Sequence, residues 1–154
     1  FKAGSTVGGA KPKFLYSEHK VEGFIIPGDL VYSNDYIHYI LKLSIEEERY
    51  YSEFIEFSYY LTAIHLGIEM MPSKMINDRH FATERFDRLG GKKKHILTAS
   101  GMTGWDFYDP KVSTCENLFD LALFLKIPHK DLEELYKKLV FNVIFCNRED
   151  HLKN

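Results

Sequence analysis

The last eight residues, Asn147 to Asn154, read NREDHLKN and follow the apolar run LVFNVIFC. Two adjacent acids, a histidine, a lysine and two asparagines are residue types suited to phosphoryl-transfer chemistry. Such chemistry uses an acid to orient the attacking hydroxyl, and an asparagine five positions later to hold a magnesium ion. Counting back five from Asn154 reaches Glu149, whereas Asp150 stands at a spacing of four. The stretch also has the composition of a polar helix C-terminus, with Arg148 and Lys153 favourable beside the helix dipole. On these residues alone both readings stand.

At the other end, GSTVGGAKPK (Gly4 to Lys13) combines unobstructed backbone N–H groups with the hydroxyls of Ser5 and Thr6. A phosphate approaching a tight turn needs those groups. The loop matches neither G-x-x-x-x-G-K-[ST] nor G-x-G-x-x-G, so an ordinary turn between strands is the alternative. Lys42 lies inside the apolar run YIHYILKLS, where an ammonium is costly unless it is paired or faces a ligand. Glu56 is a candidate partner, with Glu47, Glu48 and Glu53 also near in sequence. A lysine that lays its stem on apolar surface and keeps its head in water is the competing reading. ERFDR (Glu84 to Arg88) reads as an exposed, charged strand end, and GGKKKH (Gly90 to His95) as a solvated basic tip.

The elements that position these residues follow from local pattern. KFLYSE after Pro12, EGFIIPG (Glu22 to Gly28) and YIHYILKLS (Tyr36 to Ser44) read as strands. Ser44 followed by Glu47 forms a capping box that opens a long helix closing near Gly67. Its core-facing stripe is expected at Phe54, Phe57, Leu61, Ile64 and Ile68. HFATERFDR (His80 to Arg88) and HILTAS (His95 to Ser100) read as strands of a hairpin joined through LGGKKK. Beyond Pro110, TCENLFDLALFLKI and HKDLEELYKKLVFNVIFCN read as helices separated at Pro128. Strands with one helix followed by helices alone imply an α+β fold, with a sheet-containing lobe over 1–108 and a helical part over 109–154.

Composition narrows the function classes. A hydrophobic content of 45%, with ten Tyr and twelve Phe, is that of an ordered globular chain rather than a disordered one. The net charge of −2 provides no global basic field, so no direct nucleic-acid contact and no membrane attraction is expected. Cys115 and Cys146 are too few for a disulfide framework or a four-cysteine zinc site, which suits a reducing, cytoplasmic setting. No apolar run reaches a membrane-spanning length, and no charged-then-apolar leader opens the chain. A start on Phe1 rather than Met, and an end at Asn154, suggest a piece of a longer protein.

Taken in order, GSTVGGAKPK, YILKLS, ERFDR and NREDHLKN resemble the HipA-like serine/threonine kinase family, the toxins of bacterial toxin–antitoxin modules. The resemblance implies a protein-kinase-like fold, ATP and Mg2+ as cofactors, a protein substrate by analogy with an aminoacyl-tRNA synthetase, and an antitoxin partner. It places Thr6 where members carry a phosphorylatable serine, and Val7, Gly8, Gly9 and Ala10 over the nucleotide phosphates. Lys42 matches the strand lysine that reaches those phosphates, Glu56 the glutamate of the following helix, and Glu84 to Phe86 the segment that meets adenine. Asn154 matches a metal ligand, with His151 and Lys153 as motif neighbours. Glu149 stands where the family has its catalytic aspartate, and Asp150 substitutes only if the loop shifts. The extra methylene moves the carboxylate by about 1.5 Å, and a misplacement near 1 Å can cost about 10²-fold in rate. A further metal-binding aspartate of a YD-type motif falls beyond Asn154. The resemblance therefore carries two expectations, a kinase fragment with low or no activity and a non-catalytic module that binds nucleotide or an antitoxin.

Overall fold

Tyr, Phe, Ile and Leu dominate β1 (Lys13–His19), β2 (Ile25–Pro27) and β3 (Tyr36–Lys42), as a half-buried pleated surface requires. The structure, a computed structural model, describes residues 12–28, 30–31, 33–44, 52–147 and 152. After α1 (Ser52–His65) come β4 (Ser73–Ile76) and β5 (His80–Glu84). The five strands form one antiparallel sheet in the order β2-β1-β3-β5-β4. A two-stranded ribbon, β6 (Arg88–Leu89) with β7 (Lys92–Lys93), follows. The remaining elements are α2 (Ala99–Thr103), α3 (Cys115–Phe124) and α4 (His129–Ile144). The architecture is α+β, and among the described residues no helix is long and apolar enough to cross a membrane.

Contacts divide the chain into two compact units, Phe1–His95 and Ile96–Asn154. Sequence pattern places the division at residue 108, after a strand HILTAS. Residues 99–103 are instead helical: Thr98 caps α2 by accepting the Gly101 N–H, and Gly104 closes it at φ 74°. The Ser100 N–H then donates to the Leu152 carbonyl at 2.9 Å, which ties this segment to the second unit. The hairpin expected around LGGKKK exists in a tighter form. Gly90 and Gly91, at φ 61° and 70°, make the two-residue turn between β6 and β7 that positive φ at both positions allows.

Directly opposed residues of antiparallel strands share a face. One face of the first unit thus carries Lys13, Leu15 and Ser17 of β1, His38, Ile40 and Lys42 of β3, and Phe81 and Thr83 of β5. α1 packs there, with the Phe57 and Phe81 rings 6.4 Å apart. Its buried positions are Glu53 and Ala63, with Phe57 and Tyr60 half-buried between them, while Phe54, Leu61 and Ile64 face outward. Of the stripe expected from apolar spacing, Phe57 packs on the sheet and Ile68, just past the helix, is buried, while the other three positions lie on the exposed side. The acid side chains of Glu53 and Glu56 lie toward the sheet, and apolar residues stay in solvent. The described helix starts at Ser52, so the Ser44–Glu47 cap falls partly outside the described residues.

All three long helices stop in the same way. The Ile68 N–H bonds Ala63 O and the Gly67 N–H bonds Ile64 O. Ile127 and Lys126 repeat this on Ala122 and Leu123, as do Asn147 and Cys146 on Asn142 and Val143. Gly67 sits at φ 74° without cost, whereas Lys126 and Cys146 hold φ 55° and 54° with a Cβ. Lys126→Gly and Cys146→Gly should each stabilise the protein by about 0.5–1 kcal/mol in urea denaturation.

Candidate functional site

β3 ends in Lys42, whose Nζ donates to Glu56 Oε2 of α1 at 2.5 Å and stands 5.8 Å from the Phe81 ring centroid. Of the candidate acids, Glu56 is the partner. Glu53, one turn earlier, is buried with its Oε1 accepting from Ser52 Oγ at 3.0 Å, and Glu47 and Glu48 lie outside the described residues. Lys42 is thus a paired lysine on the α1-bearing face rather than one reaching for water. The two side chains are 26% and 37% exposed, so the pair contributes at most about 1 kcal/mol to stability. Its effect is to fix where an ammonium sits.

Sequence reasoning missed Lys13. The β1–β3 register sets it directly opposite Lys42 on the same face. Burial first, and then the Lys42 charge, lower the Lys13 pKa below its ordinary value, against the opposing pull of Glu56. Like charges directly opposite in a sheet are destabilising, so this pair breaks a local rule in the way functional sites do. No count along AKPK could have found it, because the match depends on the β1–β3 register rather than on spacing within one strand.

The segment Glu84 to Phe86 is tied down in a different way. Glu84 lies opposite Tyr39, hence on the other sheet face, and its Oε1 accepts from Tyr39 Oη at 3.3 Å. The Glu84 N–H bonds Pro72 O at 2.9 Å and the Arg85 N–H bonds His38 O at 2.8 Å, while the Phe86 side chain is exposed. On that face Tyr16 and Tyr39 stack at 4.9 Å, and Lys74 pairs with Glu18 above the Tyr39 ring. Burial pushes both phenols up, helped chiefly by Glu18 at Tyr16 and Glu84 at Tyr39.

ERFDR is not an exposed strand end. β5 stops at Glu84, and Asp87 takes Arg85 Nε at 2.9 Å and Nη2 at 2.7 Å, with Arg88 Nη1 on the same carboxylate oxygen as Nη2. The Asp87 side chain is only 16% exposed and the Arg88 side chain 8%. The Lys94 N–H closes the segment on Asp87 O at 2.9 Å. One carboxylate between two guanidiniums makes it affordable to fold this charged stretch inward.

In the second unit, α4 ends at Ile144 and its cap is complete at Asn147. NREDHLKN therefore starts beyond the helix. Its one described residue after Asn147 is Leu152, buried at 5% exposure, with its carbonyl held by Ser100. Thr6, Val7, Gly8, Gly9, Ala10, Glu149, Asp150, His151 and Asn154 lie outside the described residues. Among the described residues, no group of three or more His, Cys, Asp and Glu could hold a metal.

A family model described as HipA-like C-terminal domain matches residues 5–154. The chain belongs to that family. The match spans the glycine-containing loop, Lys42 with Glu56, the Glu84 segment and the terminal stretch together. No curated protein and no solved structure matches the chain.

Within this HipA-like domain, the Asp87 cluster yields a stability prediction. Hydrogen bonds from Arg85 hold the Asp87 carboxyl below the ordinary value of 3.8, opposed by burial and aided by the Arg85 and Arg88 charges. A lowered carboxyl pKa stabilises the fold fully above that ordinary value, and the contribution is lost as pH falls through the lowered one. Asp87→Asn should cost about 2 kcal/mol at neutral pH. In urea denaturation, the gap to wild type should close below the lowered pKa.

Proposed function

We propose that this HipA-like domain binds ATP with magnesium as part of a serine/threonine protein kinase, which transfers the γ-phosphoryl group to a protein hydroxyl. The observation that carries the reading is the Lys42–Glu56 pair at 2.5 Å with Lys13 opposite Lys42 in register. Two ammonium groups on one sheet face suit a polyanion, and a phosphate there would offset both the burial and the Lys42 repulsion that lower the Lys13 pKa. ATP supplies the transferable group, and magnesium neutralises charge on it. Lys42 orients phosphate oxygens and Glu56 holds Lys42 in place. Val7 to Ala10 supply backbone donors, Asn154 a metal ligand, and Glu149 the acid that orients the hydroxyl.

A second reading, a non-catalytic module that binds nucleotide or an antitoxin-like partner, is favoured by one observation: Glu149 stands five residues before Asn154, where the resemblance calls for aspartate.

Mg-ATP should raise the thermal midpoint of the wild type, by the equivalent of about 2.7 kcal/mol at a hundredfold excess over Kd. Absence of a shift at millimolar ATP counts against both nucleotide readings. Lys13 gives a sharper check. Because its pKa is lowered in the folded chain, its charged form costs stability in full below that lowered value, and the cost fades as pH rises from it to the ordinary 10.5. Lys13→Met should therefore raise the neutral-pH midpoint without ATP while reducing the ATP-induced shift. A variant that loses stability, or keeps the full shift, contradicts the assignment. Glu149→Asp should raise phosphoryl transfer by up to about 10²-fold if the two readings differ only in that methylene. An unchanged rate favours the non-catalytic module.

A further inference from the structure

α1 is apolar on both sides. Phe57 and Ala63 face the sheet, while Phe54, Ile55 and Leu61 on the outward side are 43%, 50% and 46% exposed. A surface helix ordinarily carries charge on its outward face, and one that is apolar all round is ordinarily covered. From Phe57 to Ile68 the chain holds no Asp, Glu, Lys or Arg, and the two acids of the helix, Glu53 and Glu56, lie toward the sheet. The outward hydroxyls are turned back onto the helix. Ser58 Oγ donates to Phe54 O at 2.8 Å and Thr62 Oγ1 to Ser58 O at 2.7 Å.

The residues of this face fall in nearly the same order read from either end. Ser58 is central, with Phe54 and Ile55 four and three positions before it, and Leu61 and Thr62 three and four positions after it. A twofold axis through Ser58 brings a second α1 across the first in antiparallel sense, with Phe54 of one copy on Leu61 of the other and Ile55 on Thr62. The small serine lets the two axes approach closely, and no charge meets its like.

We propose that the outward face of α1 is a self-association surface, on which a second copy of this chain seats its own α1 antiparallel about Ser58. The 14-residue helix is about 21 Å long. One such face buries less than the roughly 800 Å² per partner of a stable complex, so the dimer is weak and depends on concentration. The pairing is independent of the nucleotide reading.

Sedimentation velocity from about 1 μM to about 1 mM covers the range in which an interface of this size associates. The wild-type mass should rise from one chain toward two, alike at low and high salt because no ion pair crosses the interface. Leu61→Lys and Phe54→Glu should each weaken the dimer by about tenfold or more, since each sets a charge against an apolar side chain. An equimolar mixture of the two should recover it, because the new acid of one copy meets the new lysine of the other. Val143→Lys, on the exposed side of α4, should leave association unchanged. If Phe54→Glu does not fold, cross-linking decides the register. With the exposed Cys115 and Cys146 replaced by Ser, Ser58→Cys should join two chains under mild oxidation and Ile55→Cys should not. A chain that stays monomeric throughout, association that survives Leu61→Lys or is lost with Val143→Lys, or equal cross-linking from both cysteines overturns the proposal.

Discussion

The first unit is organised around one ion pair, Lys42 of β3 with Glu56 of α1, which joins the end of a central strand to the helix packed on its face. About a third exposed, the pair adds little to stability, so its value lies in geometry. Meeting Lys42 requires Glu56 to lie toward the sheet. The same face brings Glu53, Phe57 and Ala63 inward and leaves Phe54, Leu61 and Ile64 outside. A pair worth at most about 1 kcal/mol does not by itself offset the exposure of three apolar side chains, so the Phe57–Phe81 contact and buried Ala63 set that face together with it.

The same trade appears elsewhere in charged segments. Lys13 is kept opposite Lys42 despite their repulsion, because the seven-residue β1–β3 register leaves it no other place. At the end of β5, Asp87 between Arg85 and Arg88 turns a charged run into a folded corner that leads into the β6–β7 ribbon. In the second unit, Cys146 accepts a left-handed backbone so that α4 stops before NREDHLKN, and Ser100 catches that stretch at Leu152.

Much of this was legible in the sequence where one physical rule dominated. Pro12 and β-rich composition marked β1 and β3, Gly67 marked the end of α1, and an ammonium in an apolar strand made Glu56 one of the candidate partners of Lys42. Where rules competed, reading residue types was not enough. Apolar spacing found Phe57 and Ile68 but misplaced Phe54, Leu61 and Ile64, because Glu53, Glu56 and Ala63 share the packed side. HILTAS has strand-like residues, but Thr98 and Gly104 cap a helical turn across its end. β4 went unnoticed since SKMI has little alternation, although Asn77 and Asp78, at φ 50° and 49°, are the turn residues that pair it with β5. ERFDR looked solvated because charge was counted residue by residue, and the inward fold depends on one carboxylate bonding two guanidiniums at once.

We propose that the face shared by Lys13, Lys42 and α1 receives the phosphates of a nucleotide. The most direct test is a crystal structure of the protein with a non-hydrolysable ATP analogue and magnesium. Phosphate oxygens should lie within hydrogen-bonding distance of both lysine Nζ atoms, with Glu56 still bound to Lys42. An analogue seated on the Tyr16–Tyr39 face, or one whose phosphates leave both lysines untouched, would contradict it.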